Sequence, residues 1–150
     1  MTKAIKKAAL GRRQQPLLYA ALAALWFSGV VWLGWNYGHI LQGTSALETS
    51  AVSVLSMKIH GAAAMGFLMA FGALLLQHVP LGWKQPAHRP TGVALLSFCG
   101  ALIITGWGLY YLGGESLRHG TSVVHWGLGV LLPVILWWHV RLARRTSEKE

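Results

Sequence analysis

Four histidines carry the chemistry this chain can offer. His60 and His78 lie in the apolar stretch from Lys58 to Pro80, KIHGAAAMGFLMAFGALLLQHVP, eighteen residues apart. At 100° per residue, eighteen steps make five whole helical turns, so both imidazoles share one stripe of a helix. They sit ~27 Å apart along its axis, close to the ~30 Å of a bilayer core. Val123 to Val140 repeats the arrangement with His125 and His139, fourteen residues apart. That spacing is ~40° short of four turns and spans ~21 Å. Neutral imidazole is the commonest protein ligand for metal ions. Two helices thus each present a cofacial pair of ligands, one near each end of an apolar span.

The elements that position these histidines are membrane helices. The chain has 150 residues, 54% hydrophobic and 11% charged, against ~25% charged for a soluble domain. Its eight tryptophans and eighteen glycines suit a bilayer protein. Apolar runs predict four spans, at about 17–35, 54–79, 91–112 and 122–142, forming a single membrane domain over 1–150. The first follows a basic segment, MTKAIKKAALGRRQQP, that resembles the start of a signal peptide. Its apolar run is long enough to span and no A-x-A-type cleavage site follows, so a retained first helix is expected. Residues 80–90, PLGWKQPAHRP, read as a turn, and 113–121, GGESLRHGT, as a short loop.

Short connections imply an all-α, four-transmembrane-helix bundle of up-down-up-down topology. Lys and Arg set its orientation. The N-terminal segment, the second loop and the C-terminal end hold five, two and four of them. The first and third loops with their flanks hold only Lys58 and Arg118. Both termini are therefore expected in the cytoplasm, with His60 and His125 toward the outer face and His78 and His139 toward the inner face. The net charge of +9 lies in these short polar segments, which argues for topology rather than nucleic-acid binding. Aspartate is absent, and Glu48, Glu115, Glu148 and Glu150 all fall outside the middle of the apolar runs. A buried carboxylate relay is not expected. Cys99 stands alone in an apolar run, and no Cys-x-x-Cys-His motif is present for covalent haem attachment.

Intramembrane polar residues are costly and commonly functional. Two facing imidazoles supply the axial ligands of a haem iron, whereas a structural zinc site wants four ligands at one depth. A porphyrin also needs a slot, and small residues follow two of the histidines: Gly61, Ala62, Ala63, Ala64 and Gly66 after His60, Gly127 and Gly129 after His125. Phe67 and Phe71, and Leu132 and Leu136, fall close to the two histidine stripes and are candidates to fill the space between two haems. The two separations differ by ~6 Å, about one turn. Tilt, or a kink at Pro133, is the expected remedy.

The runs KIHG…LLLQHVPLGW, ITGWGLYYLGG and VVHWGLG…WWHVRLARR resemble small bacterial diheme b-type cytochromes, including cytochrome b561-like proteins and the cytochrome b subunits of formate dehydrogenases and hydrogenases. The resemblance covers about residues 54–145. It implies two haem b groups, with His60 and His125 ligating the outer iron and His78 and His139 the inner iron. It also implies electron transport across the bacterial inner membrane, between a quinone (ubiquinone or menaquinone) and a periplasmic redox protein or oxidoreductase subunit. Unlike several such proteins, this chain has no histidine within its first helix. His39 lies just beyond it and reads as a surface residue.

Lys58 and Arg118 are candidate partners for haem propionates at the outer level, and Arg141 and Arg144 at the inner level. Glu115, Arg118 and His119 form one candidate quinone site. Trp83, Lys84, His88 and Arg89 form another. Two other functions compete with electron carriage. A haem-free scaffold is one. A superoxide oxidase feeding ubiquinone is the other, with Lys58 and Arg118 drawing in the anion. Superoxide consumption by the purified protein with quinone distinguishes the last: replacing Lys58 and Arg118 in turn should each slow it, and a rate that survives both changes removes that mechanism.

Overall fold

The computed structural model describes the backbone of residues 14–41, 50–86 and 89–147, and side chains from 15–37, 50–86 and 89–145. All regular structure among the described residues is helical. The elements are α1 (Gln14–Leu41), α2 (Ala51–Gly82), α3 (Arg89–Tyr111) and α4 (Glu115–Ser147). All four are long and apolar enough to cross a membrane, over Gln15–Tyr37, Ala51–Gly82, Arg89–Tyr111 and Glu115–Arg145. Contacts group the described residues into two compact units. One holds α1 and α2 as far as Leu76. The other holds the end of α2 from Gln77 with α3 and α4.

Local chemistry explains where the helices start and stop. Ser50 caps α2, its Oγ accepting the Ser53 N–H at 3.1 Å. Pro16 lies in the first turn of α1, where a missing N–H costs nothing. The turn expected from Pro80 begins later than predicted, because α2 continues through Pro80 to Gly82. Proline so near a helix end forfeits one backbone bond. Trp83 N–H still reaches the Val79 carbonyl at 2.9 Å, and Gln85 N–H reaches that of Gly82 at 3.0 Å, tightening the last turn.

The expected loop at 113–121 is mostly helix. Gly114 has φ +92° and makes the reversal by itself. Its carbonyl then accepts the Arg118 N–H at 3.1 Å and opens α4. Glu115 in the first turn places negative charge at the positive end of the helix. Glu115, Arg118 and His119 therefore stand on a helical turn.

Little is buried. Leu18, Ser28, Ser56, Phe67 and Cys99 are the buried apolar and polar side chains among the described residues, and none is fully enclosed. Phe27, Met65, Met69, Leu76, Ile104 and Val134 are exposed. In water such a surface drives aggregation. Against acyl chains it costs nothing, and helix pairing must then come from close packing and specific polar contacts. Phe67 and Phe71, one turn apart on α2, stack on each other within that helix, their ring centroids 5.4 Å apart.

The α3–α4 turn gives a direct test. Gly114→Val forces a β-branched residue into a left-handed conformation, at a cost of at least ~1 kcal/mol. It should lower the melting temperature of the detergent-solubilised protein. Gly113→Ala, with open space at its Cβ, should leave it unchanged.

Candidate functional site: three imidazoles on hydroxyl–glycine steps

His125 and His139 project from α4 onto α3. His125 Nδ1 lies 2.9 Å from Thr105 Oγ1, and His139 Nδ1 lies 3.0 Å from Thr91 Oγ1. The two threonines are fourteen residues apart on α3, and so are the two histidines on α4, in reverse order. Equal spacing in opposite directions makes α3 and α4 an antiparallel pair, pinned at two points ~21 Å apart. In the other unit the same contact joins α2 to α1, with His60 Nδ1 at 3.0 Å from Ser28 Oγ.

Each hydroxyl residue is followed by glycine, and each glycine lies under the same imidazole. A Cβ on Gly106 would stand 3.2 Å from His125 Cε1, one on Gly29 3.4 Å from His60 Cε1, and one on Gly92 3.7 Å from His139 Cε1. The hydroxyl holds Nδ1 while the glycine lets the adjoining ring edge approach the helix. The chain has three Ser/Thr–Gly dipeptides, Ser28–Gly29, Thr91–Gly92 and Thr105–Gly106. All three serve a histidine.

The hydrogen-bond network assigns the tautomer. Thr105 Oγ1 lies 2.7 Å from the Ala101 carbonyl, and Ser28 Oγ lies 2.5 Å from that of Ala24. A carbonyl can only accept, and a hydroxyl has one proton. That proton goes to the carbonyl one turn back, a common bond for Ser and Thr inside helices. The hydroxyl oxygen must then accept from the ring. Nδ1 of His125 and of His60 is therefore the protonated nitrogen, and the ring lone pair sits on Nε2. Metal-ligating histidines show the same division of labour, one nitrogen donating to an outer partner and the other facing the metal.

The other predicted residues divide. His78 is half-buried near the end of α2, as are His60, His125 and His139 on their helices. Arg118 is exposed and lies within ~20° of the His125 stripe, about two turns toward the start of α4. Lys58 is also exposed, but two residues put it ~200° round α2 from His60, on the opposite face. Arg141 stacks over Trp137, its guanidinium carbon 4.9 Å from the ring centroid. It lies ~160° round α4 from His139 when brought to the same level, which turns it away from the histidine face.

Arg89 Nε donates to the Trp83 carbonyl at 2.6 Å, and its guanidinium sits 5.7 Å from the Trp83 ring centroid. This pair closes the α2–α3 turn. His88 and the side chain of His39 lie outside the described residues. Among the described residues no group of three or more His, Cys, Asp or Glu side chains converges as a metal cluster.

No protein-family model, curated protein or solved structure matches this chain.

Ser28, Thr91, Thr105 and their glycines were not singled out by sequence reasoning. The Ser/Thr–Gly step was the available signal. The contact distances order its tolerance to substitution. Gly106→Ala, facing a 3.2 Å approach, should lower thermal stability in detergent more than Gly92→Ala, whose added methyl meets ordinary van der Waals contact at 3.7 Å. Equal effects would mean that the imidazoles do not press on these glycines.

Proposed function

We propose that this chain is an integral membrane cytochrome b carrying two non-covalent haem b groups. It moves electrons across a bacterial inner membrane between the quinone pool, ubiquinone or menaquinone, and a periplasmic redox protein or oxidoreductase subunit. The observation that carries this reading is the histidine set over hydroxyl–glycine steps, repeated three times in helices long enough to span a bilayer. A plain helix–helix hydrogen bond explains one such histidine. It does not explain why each instance pairs a hydroxyl for Nδ1 with a missing side chain beside Cε1.

The donor set suits the group. Four half-buried imidazoles supply nitrogen ligands, and in two of them the network places the lone pair on Nε2. When bound, each haem would supply a one-electron carrier, held by a pair of these imidazoles. In this reading the helices run up-down-up-down with both termini cytoplasmic. His60 and His125 then serve the outer iron, and His78 and His139 the inner iron. Ser28 and Thr105 hold their rings in one tautomer and, by accepting the Nδ1 proton, make the ligand nitrogen more basic. A more basic ligand favours the ferric state.

Arg118, on the His125 stripe, is the better placed partner for an outer propionate. Lys58 faces away from His60, which weakens the superoxide reading, since that reading asks both cations to attend the outer site. Exposed Glu115, Arg118 and His119 on the first turn of α4 offer hydrogen-bond partners and a proton route for a quinone.

The test is a reduced-minus-oxidised spectrum with haem quantitation on detergent-purified protein. About two b-type haems per chain are expected. His60→Ala should remove one and spare the other. Thr105→Val should keep both and raise one midpoint potential, because the ring loses its acceptor, and Thr105→Ser should restore it. Protein made with ample haem supply that carries none would return the chain to the scaffold reading.

A further inference from the structure

We propose that the C-terminal half of α4 carries a binding site for an anionic phospholipid, on the face opposite the histidines. An open groove there is lined by Trp137, Trp138, Arg141, Leu142 and Arg145. At 100° per residue these five side chains fall within an arc of ~140°. His125 and His139 fall outside it, on the other side of the helix.

The arc continues toward the middle of the span. Val130, Leu131 and Val134 lie within the same ~140° and are exposed, as are Trp137 and Trp138. One face of α4 therefore changes in sequence from aliphatic to aromatic to cationic along its axis. That is the order of chemistry along a phospholipid, from acyl chain through the ester region to phosphate. Indole rings favour the ester and headgroup level.

The cations are arranged for phosphate. Arg141 and Arg145 are one turn apart, ~6 Å along the axis, and both are exposed. Guanidinium binds phosphate oxygens in a bidentate fork. Arg141 is held by the Trp137 ring at 4.9 Å, which limits the side-chain freedom lost on binding. No carboxylate pairs with either arginine among the described residues. A zwitterionic lipid brings its own cation to the same place and gains less. Charge complementarity therefore selects a lipid with net negative headgroup charge.

The full chain in detergent is titrated with phosphatidylglycerol, phosphatidylcholine and sodium phosphate, and bound ligand is read by native mass spectrometry. Phosphatidylglycerol should be retained at concentrations about tenfold lower than phosphatidylcholine. Arg141→Gln with Arg145→Gln should abolish that preference. Lys84→Gln, which also removes positive charge, should leave it intact. A second measurement needs no variant: phosphatidylglycerol brominated on its acyl chains should quench tryptophan fluorescence more than the brominated phosphatidylcholine. Equal retention or equal quenching of the two lipids, a preference that survives the double change, or phosphate competing as well as the lipid, would each overturn the site. Haem content plays no part in the readout, so this inference and the cytochrome reading stand or fall separately.

Discussion

An imidazole inside an apolar span needs a partner for its N–H, because hydrocarbon offers none and an unmet donor costs on the order of 1–3 kcal/mol. Ser28 and Thr105 meet that need for His60 and His125, and Thr91 pairs with His139 in the same place. The rest of α3 and α4 follows from it. With almost no buried core to set the register, two hydroxyl–imidazole bonds at matched spacing fix how the two helices align. The glycine after each hydroxyl then decides how closely they approach.

The same bonds join architecture to chemistry. In Thr105 and Ser28 the hydroxyl proton is committed to a carbonyl of its own helix. The ring must donate from Nδ1, so the nitrogen that would meet a metal carries the lone pair. A side chain that looks like helix glue thereby also sets tautomer, ring orientation and basicity. On α4 the chemistry divides by face. His125 and His139 look toward α3, while Trp137, Trp138, Arg141 and Arg145 occupy the opposite arc.

Much was legible without coordinates. Apolar runs interrupted by Pro, Gly and charge marked all four helices, because the membrane requirement for length and hydrophobicity acts on each segment alone. The cofacial histidines were legible for the same reason, since helical periodicity is local. Boundaries were less so. Pro80 did not stop α2, and GGESLRHGT turned out to be a short break reversed at Gly114 and followed by the start of α4. In both places composition favoured a longer loop: α2 ran on because a proline near a helix end costs little, and α4 began early because one glycine sufficed for the reversal.

The sequence by itself determined that this is a chain of apolar helices carrying histidines at two depths, since length, hydropathy and 100° periodicity depend on residue order alone. Tertiary structure decided which neighbours those histidines meet. Ser28, Thr91 and Thr105 lie 32, 48 and 20 residues from their imidazoles, and such distant pairings come from helix register, which no single helix encodes. Helical periodicity alone had already turned Lys58 and Arg141 away from the histidine faces and put Arg118 on one. Once the helices pair, each has an inward side and a lipid side, and a residue's angle round the axis, more than its distance along the chain, settles which it serves.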